Sequence, residues 1–121
     1  MHYIGIDIIE IARIQRTIDR WGETFLHRVY TESELGLCRE KPSSLASRFA
    51  GKEAVMKALG TGTKGISWRE IEILAEPSGK PVVHLNGKAQ ERATDLGLDK
   101  LAISLSDSKQ HAIAFVVGEA K

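Results

Sequence analysis

The sequence has a single cysteine, Cys38, and so cannot close an internal disulfide. It lacks an excess of either charge, since 17 Lys and Arg stand against 16 Asp and Glu for a formal charge of +1. A general nucleic-acid binder presents a strongly basic face, so that class is disfavoured and any attraction to an acidic partner must be local. The apolar run from Ile4 to Ile11 is broken by Asp7 and Glu10 and falls far short of the ~20 residues that span a bilayer. The first residues carry neither the basic flank nor the small-residue cleavage site of a secretory signal, and a cytoplasmic protein is expected. There is no internal repeat, no low-complexity stretch and no Gly-x-Ser-x-Gly elbow that would turn Ser104, Ser106, Asp107 and His111 into a hydrolase triad. His2, His27, His84 and His111 show no metal-ligand spacing.

What is present describes one soluble globular domain over residues 1–121: 42% of residues are hydrophobic and 27% charged, enough for a single core. Tyr3 to Ile9, short and rich in isoleucine, reads as a strand covered on both faces. Ile11, Ile14 and Ile18 then recur at helical spacing, with Arg13, Arg16 and Arg20 as a cationic stripe roughly opposite. Phe25 to Tyr30 predicts a second short helix, and Thr31 with Glu34 forms a capping box that opens a third, running to about Arg39. A longer helix follows Pro42, Ser43 and Ser44 and ends at Leu59, with Gly60 as a left-handed cap. Trp68 to Leu74 and Val82 to Leu85 read as a hairpin about Pro77, Ser78 and Gly79. Asn86 caps a helix to about Asp95, and Leu101 to Ser106 and His111 to Val117 are closing strands. Helices dominate the first half and strands the second, so the fold class is α+β.

Two carboxylates stand in apolar surroundings. Asp7 lies within a run of isoleucines, and Glu53 falls on the helical face shared by Leu45, Ala46, Phe49 and Met56. An unpaired buried carboxylate is costly, so each must be paired, protonated or bound to a cation. Oxygen donors without Cys or clustered His favour a hard ion such as Mg2+, which shares its shell with waters and substrate phosphates. The alternative is structural, with Asp7 capping a turn or meeting an arginine and Glu53 pairing with Lys57 one turn on. The run Gly60, Thr61, Gly62, Thr63, Lys64, Gly65 offers backbone N–H groups to a phosphate, although it follows a helix C-terminus whose dipole repels anions. The arginine stripe is either a solvated face or a grip for an acidic protein.

These residues resemble the holo-acyl-carrier-protein synthases of the 4′-phosphopantetheinyl transferase superfamily. Gly5-Ile6-Asp7-Ile8 is similar to the family's opening Gly-x-Asp segment, and the helix from Arg48 to Ala58 carries the highly specific pattern Phe49-x-x-Lys52-Glu53-Ala54-x-x-Lys57. Thr31 to Leu35, Gly60-Thr61-Gly62, Gly79-Lys80-Pro81 and Ser104-Leu105-Ser106 look like family features in family order, so the resemblance covers nearly the whole chain.

The resemblance implies helices packed on a mostly antiparallel sheet, a homotrimer with sites between subunits, and Mg2+-dependent transfer of 4′-phosphopantetheine from coenzyme A to a serine of acyl carrier protein in fatty-acid biosynthesis. Asp7 and Glu53 become metal ligands and catalytic groups. Lys57 becomes a catalytic cation near the pyrophosphate or the attacking oxygen. Arg48, Lys52, Gly60, Thr61, Gly62, Gly79, Lys80, Pro81, Ser104, Ser106 and Asp107 are expected to form the coenzyme A pocket, and Arg13, Arg16 and Arg20 to meet the acidic carrier. Where many relatives have histidine after the late serines, this chain has Asp107, which cannot act as a donor to phosphate. Two other readings of the same residues stay open at this point: a noncatalytic module for acidic proteins, and a Mg2+-dependent nucleotide pyrophosphatase. Neither nucleic acid nor membrane is an expected partner.

Overall fold

The computed structural model describes residues 1–62 and 64–120. Strand β1 (His2–Glu10) runs without a loop into helix α1 (Ile11–Trp21), followed by the short helices α2 (Glu23–Val29) and α3 (Glu32–Cys38) and the long helix α4 (Pro42–Leu59). A 3-10 turn (Trp68–Glu70) leads into β2 (Ile71–Ala75) and β3 (Pro81–Leu85), then α5 (Gly87–Asp95), β4 (Leu98–Asp107) and β5 (His111–Ala120). β5 lies between β1 and β4 in an antiparallel sheet, and β2 and β3 form a separate antiparallel hairpin. Among the described residues no helix is long and apolar enough to cross a membrane.

Helix α4 is the axis of the domain. It is buried on nearly every side rather than along the one apolar face expected from its sequence, and the partly exposed Glu53 and exposed Lys57 mark a gap in that cover. Ala46, Ala50, Ala54 and Ala58, four residues apart, keep one row of the helix thin. Gly5 of β1 uses that thinness: a Cβ there would stand 1.8 Å from the carbonyl oxygen of Ala54, so only glycine lets strand and helix approach this closely. Tyr3, Gly5, Asp7 and Ile9 therefore face the helix, because strand side chains alternate.

Local signals produced the helix ends. The Thr31/Glu34 capping box forms with both of its bonds, and Gly60 takes φ +74 as the cap of α4. Two expectations are corrected. The strand expected to begin at Trp68 starts at Ile71, because Ser67 and Glu70 make a second capping box that holds residues 68–70 in a 3-10 turn. Strand β1 is not covered on both faces: Ile4, Ile6 and Ile8 are 57%, 55% and 59% exposed, beside exposed Ile113 and Phe115 on β5.

Candidate active site

Asp7 leaves the middle of β1 toward α4, and Lys57 reaches back across the gap. The lysine Nζ donates to the Ile6 carbonyl at 2.9 Å and to Asp7 Oδ1 at 3.1 Å. The Asp7 side chain is only 12% exposed, whereas that of Lys57 is 53% exposed, so the ammonium group keeps a face open to solvent. Glu53, one turn earlier on α4, lies within hydrogen-bond reach of Asp7. Burial, and then the neighbouring negative charge of Asp7, push its carboxyl above the usual carboxylate range, while Lys57 and Arg13 pull the other way. The structure thus joins Asp7 of β1 to Glu53 and Lys57, neighbours on α4 that lie far from it along the sequence.

Two carboxyl groups in contact repel each other unless a proton or cation lies between them. Among the described residues no cluster of three or more His, Cys, Asp or Glu is placed to hold a metal. An all-protein cage is thereby excluded there, but Mg2+ needs only one or two carboxylates when waters and substrate phosphates complete its shell. The hard oxygen pair of Asp7 and Glu53 fits that ion. Arg13 is a neighbour of this pair as well as a member of the exposed stripe with Arg16 and Arg20. The direct junction of β1 with α1 explains this double role, since it keeps the first turn of α1 beside the strand that carries Asp7.

The remaining expected residues lie elsewhere. Lys52 is sealed in the interior, which corrects the reading that gave it to coenzyme A. Its side chain is fully buried and its Nζ is satisfied by Glu34 Oε1 at 2.8 Å, by the Trp68 carbonyl at 3.1 Å and by the Ile71 carbonyl. Burial lowers its pKa and the Glu34 carboxylate opposes that shift. No local pattern pointed to this pair, because its partners are 16 to 19 residues away along the chain. Arg48 is half-buried, and its Nε points to the Ile73 carbonyl at 3.4 Å.

The backbone cradle expected over residues 60–65 is also reduced, with the Lys64 N–H donating to the Thr61 carbonyl. The Gly60 and Thr61 N–H groups already donate to Lys57 and Met56 at the end of α4, and Thr63 lies outside the described residues. Gly79 belongs to the turn between β2 and β3, and Lys80 and Pro81 border a groove of about 480 Å³ with α5 and β4. Ser104 and Ser106 pair across the sheet with Phe115 and Ile113 and stand exposed on the face turned away from α4. Asp107 is exposed at the end of β4. Within one chain, then, the late serines and the carboxylate pair occupy opposite faces of the sheet.

The 4′-phosphopantetheinyl transferase superfamily model matches residues 3–116. The chain is 50% identical to a holo-[acyl-carrier-protein] synthase of Herpetosiphon aurantiacus, covering 94% of this chain and 95% of that protein. Among solved structures, the Neisseria meningitidis holo-[acyl-carrier-protein] synthase superposes with a TM-score of 0.90 at 38% identity, over 98% of this chain and 99% of that one. The Helicobacter pylori enzyme, crystallised with coenzyme A, gives 0.88 at 39% identity, over 96% and 99%.

Proposed function

Because the chain belongs to the 4′-phosphopantetheinyl transferase superfamily, we propose a specific division of labour among its residues for the reaction of that family. The protein transfers 4′-phosphopantetheine from coenzyme A to a serine of acyl carrier protein. The serine oxygen bonds to the β-phosphorus, the bond to the leaving adenosine 3′,5′-bisphosphate breaks, and the serine proton is released. The convergence of Asp7, Glu53 and Lys57 carries the assignment of the site.

Asp7 and Glu53 would hold Mg2+, which when bound supplies a Lewis acid and a template for the pyrophosphate. Lys57, tied to Asp7 but half open to solvent, offers its remaining N–H donor to a substrate phosphate and offsets charge that grows as the bond breaks. Arg13 beside the site, with Arg16 and Arg20 exposed farther along α1, receives the acidic carrier and so brings its serine toward Glu53. The chain works as a homotrimer. Two observations support this: the exposed isoleucine and phenylalanine face of the sheet needs a cover, and the late serines can join a carboxylate pair only on a neighbouring copy.

The test is to incubate the protein with apo carrier, coenzyme A and Mg2+ and weigh the carrier. A gain of one phosphopantetheine is expected. Coenzyme A breakdown without that gain would mean a pyrophosphatase, and neither would mean a binding module. Chelator should abolish the gain, and Glu53→Gln should slow it by about a hundredfold or more.

A further inference from the structure

We propose that the buried Lys52–Glu34 pair is a positioning device that sets the rotation of α4 and thereby aims Glu53 and Lys57 at Asp7. Both side chains are 0% exposed. Lys52 makes three bonds, to Glu34 and to the carbonyls of Trp68 and Ile71. Glu34 in turn accepts from the backbone N–H of Thr31 at 2.9 Å and of Ile73 at 2.8 Å. One ammonium group therefore ties α4 to the start of α3, to the 3-10 turn and to β2. No described buried side-chain polar atom lacks a partner, so this network has no slack.

Position on the helix gives the pair its leverage. Lys52 immediately precedes Glu53, so the two side chains leave α4 about 100° apart and turn together. Side-chain tips stand about 5–6 Å from a helix axis, so a rotation of about 10° displaces a carboxylate by roughly 1 Å. A misplacement of that size can change turnover by about a hundredfold. An apolar core alone would leave α4 free to settle by small rotations, because hydrophobic contact is not directional. Three carbonyl and carboxylate acceptors around one nitrogen are directional. Lys52 and Glu34 thus serve the reaction without touching substrate, and the proposal rests on the assignment of Glu53 and Lys57 to the catalytic machinery.

The experiment replaces both charges at once, with Lys52→Met and Glu34→Gln, so that no unpaired buried charge remains. Melting temperature, kcat, both KM values and the separation of the Asp7 and Glu53 carboxylates in a crystal structure are compared with the wild type. The expected result is a folded protein with a wider carboxylate separation, kcat reduced by about tenfold or more, and KM values for coenzyme A and carrier within about threefold. A folded double variant with wild-type turnover and separation would overturn the proposal. Lys52→Arg is the second arm and decides alone if the double variant does not fold: it keeps the charge but replaces one compact donor with a planar fork. It should fold with reduced kcat, and wild-type kcat would likewise overturn the proposal. Wild-type turnover by Glu53→Gln would instead defeat the site assignment beneath it, an outcome that is distinguishable because Lys52 and Glu34 are untouched in that variant.

Discussion

Helix α4 carries two lysine–carboxylate pairs five residues apart, and they differ in nearly every physical respect. Lys52 and Glu34 are completely buried, and every donor of the lysine has an acceptor. Lys57 and Asp7 make one 3.1 Å contact, and the lysine is 53% exposed with a second carboxylate, Glu53, beside its partner. A saturated pair in the dry interior can only hold structure. A pair whose lysine reaches the surface with one spare donor, beside an extra negative charge, still has bonds to offer a ligand. The same residue types therefore serve architecture or chemistry according to burial and to how many of their bonds are already made.

The contrast can be broken most directly by removing each lysine. Lys52→Met leaves Glu34 as an uncompensated buried charge and should destabilise the fold by about 3–5 kcal/mol in denaturant titration. Lys57→Met should cost less stability than that, because the lysine itself is half exposed and water can reach the carboxylate it leaves, while lowering kcat by about a hundredfold. Equal loss of stability in both would erase the distinction between the two pairs.

Gly5→Ala sharpens it, because the added methyl would meet the Ala54 carbonyl at 1.8 Å and push β1, with Asp7, away from α4 while leaving Lys52 alone. A stability loss of about 1–3 kcal/mol is expected from the overpacking, together with a fall in kcat that exceeds what the loss of folded protein explains. A variant with normal turnover per folded molecule would show that the closeness of strand and helix does not matter to the site.

The smallest effect concerns pH. The folded state raises the Glu53 pKa above its ordinary 4.5, so folding favours the protonated form and stability falls as pH rises from that value through the raised one. Glu53→Gln removes that slope and should make the metal-free chain slightly more stable at neutral pH, by less than about 1 kcal/mol once solvent screening is allowed for. Thermal melts at several pH values measure it, and a variant less stable than the wild type at neutral pH would contradict the sign. A group whose loss slows turnover yet steadies the fold contrasts with Lys52, whose loss costs both.

Much of this was legible in the sequence where the cause was local. The Thr31/Glu34 box and the Gly60 cap depend on neighbours a few residues away and formed as read, while the closing hairpin formed with longer strands, β4 beginning at Leu98 rather than Leu101 and β5 ending at Ala120 rather than Val117. The pairing of Asp7 with Glu53 was legible as a suspicion, from charge in apolar company. Lys52 was misread because its burial is created by Glu34, Trp68 and Ile71, none of which adjoins it until α3 and β2 pack against α4. The open face of β1 was misread for a related reason: a run of isoleucines has the same pattern whether a helix or a second copy of the chain covers it.

What the sequence by itself determined is the set of elements, the capped helix ends and the chemical kinds of side chain available, since periodicity, capping and turn residues act over a few positions. The tertiary structure alone decided which lysine was sealed in the interior and which stayed open to solvent. It did so by choosing, through the close approach permitted at Gly5 and the packing of β2 on α4, how much water and how many acceptors each charge would meet. Charge has no fixed role until its surroundings set the cost of leaving it unpaired.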